Sequence, residues 1–496
     1  MAMGRLDEEQ GELFIAHHQV RSPGHPFYAA LDRLLRDNGF DRYVEGLCES
    51  YYADGVGRPS LPPGVFFRCM LIGYFEGLSS ERAIAWRVAD SLSLRQFLSL
   101  SSERAAPNHS TLSRTRRRLD EAVWDQVFTW VLARVAEQGM LKASTLGIDA
   151  TTLEANAAMR SIVRREDGRS YDAYLDELAH AEGVEAPTRK DRARVDRRRK
   201  GKGSNAQWEH AHDPDAAIMK MKDGRTRMAY KHEQAVDMDE GVIVGVTVHR
   251  GCEGDTKTVG ETLKEAQARL DDVRTQLRGS KDKAKAKRKA KAKRKKAKRK
   301  KAKRGKRRLR ERVKAVVADA GYHSNDVLWA LDMLGIRSYI AEPRRGRRNW
   351  KGKPIERALV YANRRRVKGR KGKTLMRARS QQLERPFAHM HNSGGMRRVH
   401  VRGRGEVRKR LLLQAAAFNM GLLMRKLFGV GTPRQLQGGG GLLFALLWWL
   451  LVTLGQAPGA RERKSAGGSP MGAGSARWCA RLRSAWRSPN LATEGV

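Results

Sequence analysis

Thirty consecutive positions, 281–310, hold 21 Lys or Arg residues and one acid, with alanine filling most of the rest. No hydrophobic core accepts such a block, because burying unpaired ammonium and guanidinium groups costs more than apolar contact returns. Like-charge repulsion keeps the block unfolded without a polyanion. The fold must therefore form around it, as around an insert. The block supplies +20 of a formal net charge of +45 in a chain of 496 residues. A charge of this size repels basic surfaces and calls for a polyanion. The apolar fraction, 40%, is below that of a typical globular domain, so part of the chain is not expected to fold alone.

The four cysteines, Cys48, Cys69, Cys252 and Cys479, stand far apart. Without a Cys-x-x-Cys pair, a zinc ribbon or finger is excluded by spacing, and a reducing cytosol fits best. The opening MAMGRLDEEQGELF carries no apolar stretch of the kind a signal peptide needs. One apolar run, 442–454, has 13 residues. A bilayer needs about 20, so this is expected to be a buried or interfacial segment, with no membrane partner. The Gly/Ser/Arg-rich tail, 438–496, is expected to be disordered.

Hydrophobic periodicity divides what remains. From Pro26 to about Gly139 it is helical, in FYAALDRLLRDNGF, VFFRCMLIGYFEGL and VWDQVFTWVLARVAEQG. Asn108 or Ser110 caps a helix bearing Arg114, Arg116, Arg117 and Arg118. This fits a helix-turn-helix reader of DNA and fits equally a helical bundle with a solvated basic face. After Gly139 the period shortens. STLGIDATTLEA reads as a strand, and MAYKHEQAVDMDEGVIVGVTVHRG as two strands joined at Asp239-Glu240-Gly241. Residues 257–278 are helical, and VKAVV is an apolar strand ending at Asp319. A helix capped by Ser324 follows, then the strand IRSYIAEP, a basic loop, and helical stretches near 378–390 and 407–427. Strands interleaved with helices mean a mixed α/β sheet. A polar stretch, 156–226, forms a second insert.

Among the acids, Asp149 lies inside an apolar strand and Asp319 at the end of another, where a carboxylate is costly unless paired or bound to a metal. Glu384 lies in a helical stretch expected to end at Pro386. Carboxylates from three elements would hold hard cations, although an isolated Asp at a strand end is commonly a turn cap. Asp237 and Asp239 shape the hairpin turn. Asp255 caps the following helix or rims the site. Glu342 is the rival of Glu384, and Tyr322 and His323 either pack or touch DNA.

The segments GIDATTLEANAA, DPDAAIMKMKDG, YKHEQAVD, VVADAGYHS and LERPFAHMHNSGGMRRVHVRGRGEVRKRLLLQAAAFNMGLLMRKL resemble those of bacterial insertion-sequence transposases of the DDE type, over roughly residues 25–430. The resemblance implies an RNase H-like mixed sheet with flanking helices (140–430, with inserts at 156–226 and 281–310). An all-α domain (25–139) that recognises DNA ends would precede it. It also implies that Asp149, Asp319 and Glu384 converge as catalytic residues and as ligands of two Mg²⁺ ions, Mn²⁺ being an alternative. The implied activity is cleavage at transposon ends and strand transfer into target DNA, in the cytoplasm at the nucleoid, by a homo-oligomer on paired ends. The related pattern Tyr-x-x-Arg-x-x-x-Glu-x-x-x-x-x-x-Lys is altered here: Ser380 stands four before Glu384, Arg379 is one position off, and His391 stands seven after. Arg379, Arg385, Arg397 and Arg398, with Arg377 nearby, would restore the missing positive charge towards DNA. A non-catalytic basic DNA-binding protein and a nuclease of the same fold are the rival readings.

Overall fold

The computed structural model describes Met3 and residues 24–53, 59–101, 104–199, 203–221, 223–292, 312–344, 346 and 348–436, with only the backbone of 280–292. The tail 438–496 with its apolar run, and residues 293–310 of the basic block, lie outside the described residues.

Seven helices come first: α1 (Pro26–Asp37), α2 (Phe40–Cys48), α3 (Pro63–Glu76), α4 (Glu81–Ala89), α5 (Leu92–Phe97), α6 (His109–Arg118) and α7 (Glu121–Glu137). α1 is amphipathic and buries Phe27, Tyr28, Leu31, Leu34 and Leu35. α3 is apolar nearly all round and correspondingly buried along almost its whole length. Its one buried charge, Arg68, binds Asp32 at 2.6 Å and Asp41 at 2.7 Å, clamping α1 and α2 to α3. Asn108 is the cap of α6, accepting from the Ser110 amide at 2.9 Å. Of the arginines expected to face DNA, Arg116 is buried and binds Glu81 at 3.0 Å and also Glu406, which corrects its assignment as a DNA contact. Arg118 stacks over Tyr52, 4.9 Å from the ring centre. Arg114 and Arg117 are exposed.

The second region contains β1 (Thr145–Glu154), β2 (Ile162–Arg164), α8 (Tyr171–Ala181), α9 (Arg189–Arg198), β3 (Trp208–His210), β4 (Ala217–Lys220), β5 (Thr226–Asp237) and β6 (Ile243–Arg250). It continues through α10 (Asp255–Ala292), β7 (Ala315–Ala318), α11 (Asn325–Met333), β8 (Arg337–Ile340), α12 (Pro354–Lys368), α13 (Arg370–Ala388) and α14 (Arg404–Phe428). The main sheet runs β4-β5-β1-β7-β8, and β6 also pairs with β5. β5 is antiparallel to β1 and to β6, whereas β1, β7 and β8 run parallel. The path β6-β5-β1-β7-β8, two antiparallel pairings beside a parallel trio, agrees with the RNase H-like mixed sheet that the resemblance implied. β7, AVVA, is buried at every position, as a strand covered on both faces must be.

Three departures from the sequence reading have local causes. The insert at 156–226 carries few aliphatics but builds a small core on Trp208, against which Tyr171 and Tyr174 pack edge-on at 4.8 and 5.3 Å. It also returns β4 to the main sheet. The stretch expected as a basic loop before residue 378 is α12 and the first half of α13. Pro354 opens α12, and Asn363 on its buried face bonds both the amide (3.1 Å) and the carbonyl (2.8 Å) of Ile340, splinting β8. Finally, α10 does not stop at 278 but continues to Ala292, into the basic block.

Among the described residues one stretch, Arg404–Leu436, is long and apolar enough to cross a membrane, and 72% of its apolar window is buried within the protein. Its helix α14 packs on α7, α3 and β6 as a core element.

Candidate active site

Asp149 and Asp319 come together by strand register. β1 and β7 pair in parallel with Gly147 opposite Val317. Two residues further along each chain stand Asp149 and Asp319, side by side at the carboxyl end of β7. Open α/β sheets bind ligands at this end. Asp319 leaves the strand, and its Oδ1 accepts from the Gly321 amide at 2.9 Å, starting a short 3₁₀ turn, Ala320–Tyr322. The expected turn-capping role is thus present together with the pairing to Asp149.

Asp149 is mostly buried and accepts from the Ala150 amide at 2.9 Å. Burial pushes its carboxyl up to about 6, with the Asp319 and Asp255 charges adding and Arg379 opposing. Arg379, on α13, approaches Asp149 Oδ2 at 3.6 Å. α13 lies close over β1 because Gly147 has no side chain: a Cβ there would stand 2.6 Å from Met238 Sδ and 2.7 Å from Leu383 Cδ2.

Glu384 belongs to the same helix but takes a different direction. Arg379 and Leu383 stand four apart on the stripe that faces the sheet, and Glu384 is a further ~100° round the helix. Leu383 is fully buried and Glu384 is exposed, without an ion pair or hydrogen bond among the described residues. Among those residues no three His, Cys, Asp or Glu side chains form a ready metal cluster. Glu342 follows β8 and is engaged by Arg364 through two hydrogen bonds, 2.9 and 3.0 Å, which hold its carboxyl below the usual range. The helix does not end at Pro386: it runs to Ala388 and passes into a π turn, His389–Ser393. That turn places His391, at the pattern's Lys position, against buried His232, with Nε2 and Nδ1 3.2 Å apart. Burial drives both imidazoles towards the neutral form, His391 to about 4.

Of the other arginines, Arg398 approaches Glu154 at 3.6 Å and Arg397 donates to Asn392 at 2.8 Å. Arg377 and Arg385 line the outer side of α13.

Sequence reasoning missed the polar network on the other face of β5. Glu233 is wholly buried and accepts from Tyr322 Oη at 2.7 Å and Thr258 Oγ1 at 2.9 Å, and from Thr262. Its neighbour Lys231 Nζ reaches Asp255 at 2.6 Å, Thr258 at 2.8 Å and Glu233 at 3.5 Å. Burial and the Glu233 charge hold the Tyr322 phenol protonated. The available signal was the unbroken polar run KHEQ inside a strand flanked by apolar ones.

The sheet, with two acids at the carboxyl end of its parallel strands, is of the RNase H-like mixed type. Two families match within the chain: a transposase domain (DUF772) over residues 15–118 and a transposase DDE domain over residues 344–424. Together these matches support an insertion-sequence transposase of the DDE type. No curated protein and no solved structure matches the chain. The DDE match spans Glu384 but reaches neither Asp149 nor Asp319.

Proposed function

We propose that this protein is a metal-dependent transposase that cleaves DNA at the ends of an insertion sequence and joins them to target DNA. The observation that carries the reading is the nearness of Asp149, on β1, to Asp319, just beyond the end of the adjacent parallel strand β7, within a chain that matches transposase domains on both sides of them. Glu384, from the segment matched by the DDE domain, is the third proposed catalytic residue. The donor set suits hard cations such as Mg²⁺ or Mn²⁺, which take oxygen ligands, and the buried Asp149 carboxylate has one weak cationic partner. When bound, such ions activate the attacking oxygen and stabilise the leaving one.

The chain's own residues do the rest. Asp149 is fixed by backbone pairing with β5, and Asp319 by the short turn it caps. Arg379 balances Asp149 and presents a guanidinium to an incoming phosphate. Tyr322, anchored on Glu233, fixes the turn after Asp319. Arg114, Arg117, Arg385, Arg397 and Arg398 would meet the DNA backbone, and the helices of 25–139 would recognise the ends. We propose that the active form is a homo-oligomer on paired ends, acting at the bacterial nucleoid.

The test is Mg²⁺-dependent nicking and joining of a labelled duplex carrying the element's own ends. Asp149→Asn, Asp319→Asn and Glu384→Gln should each abolish both reactions and retain DNA binding. Full activity in all three variants would leave a non-catalytic DNA-binding protein. Nicking without joining by the unaltered chain would leave a nuclease of the same fold.

A further inference from the structure

α10 and α11 do not close against each other. A groove of about 990 Å³ stays open between them. Its floor is aliphatic: Val259 and Leu263 of α10, Val327 and Leu331 of α11, together with Val313 and Ile336. Beside the groove α11 raises a ridge. Trp329, Met333 and Leu334 are 52%, 69% and 67% exposed, and no other element among the described residues exposes as many large apolar side chains. Trp329 and Met333 stand four apart, on one stripe of the helix. Single exposed apolar residues need no explanation, but a cluster of them beside an apolar groove marks a contact surface.

The charges identify what covers it. The chain carries +45, yet 324–336 holds no Lys or Arg and two exposed acids, Asp326 and Asp332. Such a ridge repels phosphates, so its partner is a protein and not DNA. The groove wall on α10 carries Lys257 and Lys264, and Arg312 lines the groove as well. An acidic apolar ridge next to a basic apolar groove is complementary to itself. The ridge of one copy fits the groove of another, and a two-fold rotation repeats the contact. The helix wheel agrees. Asp326 and Ala330 line their own groove, whereas Asp332 does not and stands on the opposite flank of the ridge. With ridges exchanged, each α11 lies between the α11 and the α10 of the other copy. Asp332 of each copy then turns towards Lys257 and Lys264 of the other. Lys257, Lys264 and Arg312 are balanced by Asp271, Asp326 and Asp332, so the face is locally neutral. The chain's positive charge lies elsewhere and is screened beyond about 8 Å at physiological salt.

We propose, resting on the homo-oligomeric reading above, that the α10–α11 face is where two copies of this chain pair, with Trp329 and Met333 as the anchors in the opposing groove. Trp and Met are residues that interface cores favour, and Trp commonly dominates their energy.

The experiment is sedimentation velocity of the full chain over a concentration series, free and on a duplex carrying the element's ends. The free chain should reach a dimer. Trp329→Ala and Met333→Ala should each weaken the dimer at least about tenfold and leave far-ultraviolet circular dichroism unchanged, because both side chains are exposed. Lys264→Glu and Asp332→Lys should each weaken it by like-charge repulsion. Mixing these two variants in equal amounts should restore the dimer, since both junctions of the mixed pair then join opposite charges. A dimer that withstands all four substitutions would overturn this surface and keep the homo-oligomer. Charge variants that weaken association singly but fail to rescue each other would overturn the second copy as the occupant of the groove. A chain that stays monomeric at every concentration, free and on DNA, would overturn the homo-oligomeric reading as well.

Discussion

Asp149 is a mostly buried acid, held where its charge costs the fold. In the metal-free protein its carboxyl is pushed up to about 6, first by burial and then by Asp319 and Asp255. An unfolded Asp titrates near 3.9, so the folded state holds the proton more tightly. Folding therefore favours the protonated form. This contribution is full below about pH 4 and is lost as pH rises through about 6. A rise of this size corresponds to about 3 kcal/mol, an upper figure for a group that is not wholly buried. Asp149→Asn should accordingly raise the stability of the metal-free chain by about 1–3 kcal/mol at pH 7.5 and leave it nearly unchanged at pH 4. Chemical denaturation in EDTA at the two pH values checks this. Equal effects at both would show that the substitution acts through packing and not through charge. Excess Mg²⁺ should reverse the ranking, because it binds the unaltered protein and not the variant.

α10 shows how far local pattern carries and where it stops. Its first turns read as a helix from apolar positions that now lie buried, among them Val259, Leu263, Ala266, Leu270 and Val273. Its extension to Ala292 has no such stripe and is invisible to periodicity, although alanine and lysine are both good helix formers. The same limit hides α12, whose interior is defined by Val360 and by Asn363 reaching β8, not by an apolar repeat. Asp149 and Asp319 are legible because an acid inside an apolar strand is conspicuous in a linear sequence. The placing of Asp255 beside Asp319 is not, since 64 positions separate them and the contact needs the bare Gly321 turn. Likewise the direction of Glu384 depends on which stripe of α13 meets β1, and that is fixed by Gly147 in another element. The basic continuation of α10 leads to a prediction of its own. Deleting 281–310 removes +20 of charge and leaves +25. DNA binding should persist but weaken, and the slope of log affinity against log salt should become shallower, with end preference retained. Filter binding across a salt series measures it, and an unaltered slope would rule the block out as a phosphate contact.

The amino-terminal helices and the sheet are joined by a half-buried electrostatic knot. Asp125 on α7 accepts two hydrogen bonds from Arg408 of α14, at 2.9 and 3.1 Å, and is also bound by Arg269 of α10. Glu265 of α10 contacts both arginines, at 3.0 and 3.4 Å, and Glu121 of α7 adds a further bond to Arg408 at 2.9 Å. One acid on α7 thus ties down a helix beside β6 and the core helix α14. Removing one member of a buried ion pair leaves an uncompensated charge and typically costs about 3–5 kcal/mol. Glu265 stays behind as a second partner, so Asp125→Ala should cost about 2–3 kcal/mol, less than a clean break. The consequence should reach both regions. In a variant that keeps only Trp124 and Trp130 of the ten tryptophans, fluorescence reports on the helices, and far-ultraviolet circular dichroism reports on the whole chain. In that background the two signals should change in one transition on heating. Asp125→Ala should move both to lower temperature together, because the same residues complete the helical core and brace α10 behind the acidic site. Adding Arg269→Met, which removes the buried charge left with only its longer contact to Glu265, should recover part of the loss. A lowered fluorescence transition that leaves the circular dichroism transition in place would mean that the helices of 25–139 unfold on their own and do not brace the sheet.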